Sequence, residues 1–318
     1  MPPRYRWRAA TAADLPALHA TLTAAAVADG EPLPPPVADL ERQFADSWAP
    51  PATHTRLALA PDGTVAAYGR LSADPSGAGA ARAYLSDTVH PLHRAERLGD
   101  PLLDWLEAQG RVVLAGRPEP RTLNVHTPDH LTGRVAAYQR HGFTPSFTLL
   151  AQRRSLKLPL PAAPLPPGLR ISVYQPEFDE ALRQAQNEVF AEDPLQDQIS
   201  PDDWRAYFVE HSAARLDLTY AVLAGAEVAA YLTTRVHAAA NLRPGWTTAW
   251  VHTLGTRAPW RGRGLARHLL VTALAAYRAA GFDTATLQVE STNSIAREFY
   301  ARLGFVTFER STEYVKVI

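Results

Sequence analysis

No cysteine occurs among the 318 residues. That absence closes several chemistries together: disulfide staples, a thiolate nucleophile with its covalent intermediate, and cysteine-ligated metal. It leaves the compartment undecided, because a disulfide-free protein folds in any of them. Neither sign of charge is in excess, with 32 basic against 32 acidic residues, so no global field recruits nucleic acid or anionic lipid. Long apolar runs are missing as well. Nothing approaches the roughly 20 residues of a membrane-spanning helix, and the N-terminal stretch MPPRYRWRAA holds no apolar signal-peptide segment. Histidines are present, but those around His90 and His93, His126 and His130, and His211 lack metal-ligand spacing and read as surface or core side chains. The expectation is a soluble cytoplasmic protein, monomer or homodimer, that uses no metal and partners neither nucleic acid nor membrane.

What is there in plenty is proline, and its placement divides the chain. Five prolines fall in Ser155 to Gly168, SLKLPLPAAPLPPG, which forbids regular structure and favours a semi-rigid connector. The length accommodates two domains, expected at residues 1–156 and 169–318 with a Pro-rich linker at 157–168. A similar order of elements recurs on either side. In the first half a helix capped at Thr11 runs to about Ala28 and another spans Leu40 to Trp48. A hairpin turns at Pro61-Asp62-Gly63, a strand covers Ala80 to Val89, and a helix covers Leu98 to Gln109 with Gly110 as its stop. In the second half helices are expected at Phe178 to Phe190 and Asp202 to His211. Strands follow at Leu216 to Leu223, Val228 to Thr234 and Thr247 to Leu254, a helix at Leu265 to Ala280, and closing strands at Val306 to Arg310 and Glu313 to Val317. The fold class is α/β: a duplicated domain, each copy a mixed sheet flanked by helices.

One stretch carries the chemistry. Trp260 to Leu270 reads WRGRGLARHLL, between an apolar strand and an amphipathic helix. Gly262 and Gly264 let the backbone turn tightly and approach a ligand. The first amides of the following helix have no intrahelical partner, and Arg261 and Arg263 add charge beside them. The natural guest is a phosphate. A dinucleotide loop would follow the first strand of its domain, and a Walker loop needs a lysine; this loop has neither property. Downstream stand Asn293 and then Tyr300-x-x-x-Gly304-Phe305. Jointly placed, Arg261-x-x-Gly264-x-Ala266, Asn293, Tyr300, Gly304 and Phe305 resemble the GNAT superfamily of N-acetyltransferases over residues 169–318.

That resemblance implies two tandem GNAT-type domains, each a mixed, mostly antiparallel sheet flanked by helices, an architecture shared with mycothiol synthase. It implies acetyl-coenzyme A as co-substrate, with the pyrophosphate on the amides from Gly262 through Arg263, Gly264 and Leu265 to Ala266. The pantetheine would run beside Leu254, Gly255 and Thr256, with the Leu254 N–H polarising the thioester carbonyl. Tyr300 would protonate the leaving thiolate. Asn293 either contacts the cofactor or only caps a helix. Trp250 stands eleven residues before Arg261, where a general-base Glu is often found, and His252 lies two residues on. The resemblance extends to arylalkylamine acetyltransferases, which carry histidines at both of these offsets, and so implies His252 as the candidate base, with Glu290 second. The acceptor, a small-molecule amine, would meet Glu188, Glu192 and Trp250, with Asp193, Asp197, Trp204 and Tyr207 near. In the first half Arg97 occupies the place of the required glycine, so that domain is expected to be degenerate, although Tyr138 and Gly142-Phe143 match the later motif. The expected reaction is direct acetyl transfer. The alternatives are a non-catalytic module that binds acetyl-coenzyme A or an amine, and an acetyltransferase acting on proteins or peptides.

Overall fold

Two strands pass between the halves of this chain. The computed structural model describes residues 4–45, 49–73, 81–191, 198–237, 241 and 247–318. It resolves into two compact units, Met1–Thr148 with Arg310–Ile318, and Leu149–Glu309. The division expected at residues 1–156 and 169–318 therefore falls differently in space, because each unit completes its sheet with a strand from the other half of the sequence.

In the first unit the elements are β1 (Arg6–Arg8), α1 (Leu15–Asp29), α2 (Val37–Ala45), α3 (Pro51–His54), β2 (Thr55–Leu59), β3 (Val65–Ala73), β4 (Ala81–Val89), α4 (Gly99–Val113), β5 (Arg121–Pro128), α5 (Thr132–Arg140) and the start of β6 (Thr144–Ser155). The sheet runs β1-β2-β3-β4-β5, antiparallel except for β4 and β5. A parallel pair needs a crossover, and α4 supplies it. Beyond β5 lies the chain's final strand, β12 (Val306–Val317), whose Ser311–Val317 pair with Pro128–Thr122.

The second unit holds β7 (Arg170–Val173), α6 (Asp179–Val189), α7 (Pro201–Trp204), β8 (Tyr220–Ala224), β9 (Glu227–Arg235), β10 (Thr248–Thr256), α8 (Leu265–Ala279), β11 (Thr284–Glu290) and α9 (Ser294–Arg302). Its sheet runs β7-β8-β9-β10-β11, with β10 and β11 the parallel pair and α8 their crossover. Leu149–Ser155 of β6 close it against β11. Residues Leu265, Leu269, Leu270, Ala273, Leu274 and Tyr277 recur at helical spacing and bury one face of α8 against Leu232, Val251 and Leu287 of the sheet. The opposite face carries Leu182 and Ala185 of α6 with Trp204 and Tyr231.

The connector at 156–169 forms no helix or strand, and buried groups of the second unit hold it. The Arg154 guanidinium donates to the carbonyls of Leu303 at 2.6 Å and Pro159 at 2.7 Å. His268 Nδ1 meets the Ala163 carbonyl at 2.6 Å.

Several expected elements change. Helix α4 does not stop at Gly110 but continues to Val113. The glycine is there for packing, since a Cβ at Gly110 would sit 2.5 Å from Leu123 Cδ2. The helix expected at Asp202–His211 is a single α-turn followed by a wide turn, Arg205–Val209, closed by Glu210 N–H to the Arg205 carbonyl at 2.8 Å. Leu216–Leu218 is a 3-10 turn, and the strand begins at Tyr220. The two closing strands are one, β12. Trp48 and Ala80, expected at the end of a helix and the start of a strand, lie outside the described residues.

Candidate active site

The parallel pair of the second unit opens like a V. Register between β10 and β11 holds only for Thr248–Trp250 against Thr284–Thr286. Beyond Trp250, β10 continues to Thr256 paired on its other side with β9. His252 is the extra residue of a bulge there, since Val251 faces Thr234 and Thr253 faces Thr233. The edge of β10 that carries Leu254, Gly255 and Thr256 therefore diverges from β11. Gly255 is required: a Cβ there would lie 2.6 Å from the ring of Tyr231, which is fully buried and donates its hydroxyl to Gln186 Oε1.

At the end of β10 the chain makes a 3-10 turn at Ala258–Trp260 and then the glycine loop. Gly262 and Gly264 have φ of 76° and 77°, the left-handed region. A Cβ on either would meet nothing within 4 Å, so the loop presents open backbone. The first bond of α8 is His268 N–H to the Gly264 carbonyl at 3.0 Å. The amides of Leu265, Ala266 and Arg267 thus have no intrahelical acceptor and form the positive end of the helix dipole. Arg261 Nε donates to the Thr256 carbonyl at 3.2 Å, and Arg263 lies over the Trp260 ring at 4.8 Å. These residues form an exposed rim of glycine backbone and guanidinium groups at the positive end of α8.

Tyr300 lies on α9, which follows β11 on the far side of the V. Leu254, Trp260 and Tyr300 all pack against the same apolar cluster. Burial pushes the Tyr300 phenol up to about 12, so it stays protonated at neutral pH. Gly304, with φ 84°, and the bond from Phe305 N–H to the Tyr300 carbonyl at 3.1 Å terminate α9. The Gly-Phe step is thus a helix stop that fixes the tyrosine's end of the helix. Asn293 Oδ1 accepts from Ala296 N–H at 3.0 Å and caps that helix.

His252 sits beneath Phe208 of the wide turn, ring centroids 5.5 Å apart. Phe208 stacks on Trp204 at 4.3 Å and 12°, and Trp204 Nε1 donates to Asp179 at 2.6 Å, so an anchored aromatic wall covers the imidazole. Burial first, then the neighbouring Arg235, His211 and His237, hold its pKa down at about 3. His252 is therefore a neutral imidazole and a weak base. An acid limb in kcat/KM should then follow the acceptor's own ammonium pKa, falling tenfold per pH unit below it and moving when the amine is changed. A limb near 6.5 for every amine would restore His252 as the titrating base.

Near it stand Arg235 and His237, which motif reading passes over. Arg235 faces Trp250 across the β9–β10 register, and the Trp250 ring meets His237 edge-on at 6.4 Å. The register that brings Arg235 here cannot be read from spacing, because β9 and β10 are joined by a long connection rather than a tight turn. Glu188 is held by Arg257, Nε to Oε2 at 2.7 Å, and Arg257 also binds Glu227. Glu290 accepts from Thr292 Oγ1 at 2.6 Å. Glu192, Asp193 and Asp197 lie outside the described residues. Among the described residues no group of three His, Asp or Glu side chains is arranged to hold a metal ion, and no helix is long and apolar enough to cross a membrane.

The first unit repeats this layout with its parts tied down. Arg97 has φ 54°, the one positive value outside glycine among the described residues, and takes the place of Gly264. Arg94 stands where Arg261 does and is held by Asp29 at 2.8 Å. Tyr138, the counterpart of Tyr300, is buried and donates to Asp87 at 2.7 Å. Arg134 reaches Asp29 at 3.5 Å and Glu31 at 3.4 Å.

The profile described as Acetyltransferase (GNAT) family matches residues 183–305. A mycothiol acetyltransferase of Salinispora arenicola (strain CNS-205) is 30% identical over 268 residues, 83% of this chain and 81% of that one. The chain belongs to the GNAT acetyltransferase family and is an N-acetyltransferase. A second mycothiol acetyltransferase, of Thermobispora bispora, is 32% identical over 228 residues, 71% of this chain and 73% of its own. Among solved structures, a GCN5-related N-acetyltransferase from Sphaerobacter thermophilus has a TM-score of 0.78 at 22% identity, covering 100% of this chain and 96% of that one. A tandem GNAT protein from the clavulanic acid biosynthesis pathway has a TM-score of 0.72 at 15% identity, covering 98% of both chains. The fold is thus a tandem GNAT fold, a mixed α/β sheet flanked by helices in each unit.

Proposed function

We propose that the second unit transfers an acetyl group from acetyl-coenzyme A to the primary amine of a small molecule, by direct attack. The observation that carries this reading is the V between β10 and β11 lying beside a rim of open backbone amides at the head of α8. The thioester supplies the activated acetyl group. Gly262 to Ala266 hold its pyrophosphate with Arg261 and Arg263, and the diverging edge at Leu254, Gly255 and Thr256 binds the pantetheine as an added strand would. Asn293 borders this path while capping α9. The Leu254 N–H stabilises charge on the acyl oxygen. As the new C–N bond forms and the C–S bond breaks, Tyr300 gives its proton to sulfur and recovers one from the nitrogen through solvent. His252 accepts a hydrogen bond from the amine, already neutral when it attacks. The relatives' name, mycothiol acetyltransferase, supports a small-molecule acceptor.

The first unit, on this reading, binds no coenzyme A. Its anion-facing arginine and its tyrosine are already occupied by carboxylates of its own chain, and the place of Gly264 carries a side chain. Met1–Thr148 with Arg310–Ile318 serve as a degenerate domain, 157–168 as the connector, and the second unit supplies the catalytic groups. Titration calorimetry should give one equivalent of acetyl-coenzyme A per chain, and free thiol should appear faster when an acceptor amine is added. Two equivalents would restore the first unit as a site. Slow thiol release that no amine in a broad panel accelerates would leave a binding module instead of an enzyme.

A further inference from the structure

Arg235 ends β9 on the acceptor side of the bulge, and its surroundings are unusual for a half-buried cation. Its Nη2 donates to the Tyr207 carbonyl, and its guanidinium lies 6.0 Å from the centroid of Phe208. Among the described residues no carboxylate lies within ion-pair reach of it, while His252 and His237 lie close enough to feel its charge. His252 shares the Phe208 ring from 5.5 Å, His237 meets Trp250 at 6.4 Å, and His211 meets His237 at 6.5 Å. Elsewhere in this unit the arginines near an acid use it: Arg183 with Glu180, Arg215 with Asp217, Arg257 with Glu188 and Glu227.

We propose that Arg235 is a specificity-determining residue that receives an anionic group, a carboxylate or a phosphate, carried by the acceptor amine. This rests on the acetyl-transfer reading above and narrows its substrate class. A guanidinium presents a planar fork of donors that matches either oxyanion in two parallel bonds. The site around it disfavours a plain cationic amine, because the acceptor's ammonium would enter beside Arg235 with no counter-charge among the described residues. An acceptor with its own anion brings that counter-charge. Burial moves Arg235 down to about 10, so it remains charged at neutral pH and the attraction is present under assay conditions. Of the acidic residues that motif reading assigned to the acceptor, Glu188 is committed to Arg257.

The test compares amines matched in all but the anion: butylamine with 4-aminobutyrate, phenethylamine with phenylalanine, and ethanolamine with O-phosphoethanolamine. The first two pairs report on carboxylate and the third on phosphate. The anionic member of at least one pair should have a kcat/KM at least tenfold above its partner, mainly through KM. Arg235→Gln should collapse that ratio towards one, and Arg235→Lys should restore part of it, since charge is kept and the fork is lost. Far-ultraviolet circular dichroism and Tm show whether each variant is folded. Neutral partners that match or exceed the anionic ones in every pair, or a ratio untouched by Arg235→Gln in a folded protein, would overturn the proposal. If no amine is acetylated, binding of butyrate and of phenyl phosphate is measured directly. Weakening by Arg235→Gln then keeps the anion site while the transfer reading falls, and no binding removes both.

Discussion

Gly264→Asp should raise the Kd for acetyl-coenzyme A at least 100-fold while the protein remains folded. Gly264 heads α8 with φ 77°, a conformation that an ordinary side chain adopts at a cost of about 1–2 kcal/mol. Aspartate is among the residues that tolerate it best, and open space surrounds the new Cβ, so the loss of stability is small. The loss of binding has another source. The carboxylate stands beside the unpaired amides of Leu265, Ala266 and Arg267, where a negative charge is favoured by the helix dipole. It takes for the protein the interaction that the pyrophosphate needs, and it repels the incoming phosphates. Gly264→Ala separates the two effects, because it carries the same backbone strain without the charge; its Kd should rise only a few-fold to about tenfold. Calorimetry reads the affinity and thermal unfolding reads the fold. Affinity within threefold of the parent for the Asp variant would remove the cradle from the mechanism. The first unit has already made a comparable exchange at Arg97. Arg97→Gly alone should not create a second site, because Arg94 stays bound to Asp29 and Tyr138 to Asp87.

The elements near the glycine loop are legible because each has a local cause. Two glycines and an amphipathic run define a turn and a helix whatever the rest of the chain does, and Tyr-x-x-x-Gly-Phe encodes a helix stop in both halves, at Gly304 and at Gly142. What escapes is non-local. Nothing in the spacing of Val306–Val317 says that its later residues pair with β5, while Leu149–Ser155 pair with β11; strand exchange is a property of register across half the chain. Gly110 reads as a helix stop because glycine usually is one, yet here it lets Leu123 approach. Arg235 and Phe208 are invisible as site residues for the same reason. One reaches the site through pairing with Trp250 and the other through a wide turn in what reads as a plain helix. The offset from Arg261 points to His252, but its depressed basicity comes first from burial and then from three cationic or ionisable neighbours, none of which a motif names.

Tyr300→Phe should lower kcat by roughly 10²–10³-fold, the scale of a lost general acid, with the Kd for acetyl-coenzyme A within about threefold of the parent. The substitution removes one oxygen and keeps the ring where Phe299 and Phe305 pack it, at centroid distances of 5.2 and 5.8 Å, so the change isolates the proton. With the phenol at about 12 and a free thiol near 8.5, transfer to the fully released thiolate is uphill by about 3.5 pKa units, and to the thioester sulfur before the bond breaks by far more. The proton therefore moves late, as charge gathers on sulfur, and a phenol that never ionises at working pH is always ready to give it. The sign of the pH dependence follows. Because the pKa is raised, the donor is protonated everywhere below about pH 11, and kcat should show no basic limb from Tyr300 between pH 7 and 10. The Phe variant should run parallel to the parent across that range at a lower level. A basic limb near pH 8 to 9 that vanishes in the Phe variant would mean that Tyr300 ionises there, contrary to its burial. A kcat within threefold of the parent would move the acid elsewhere, to solvent or to the thiolate's own release.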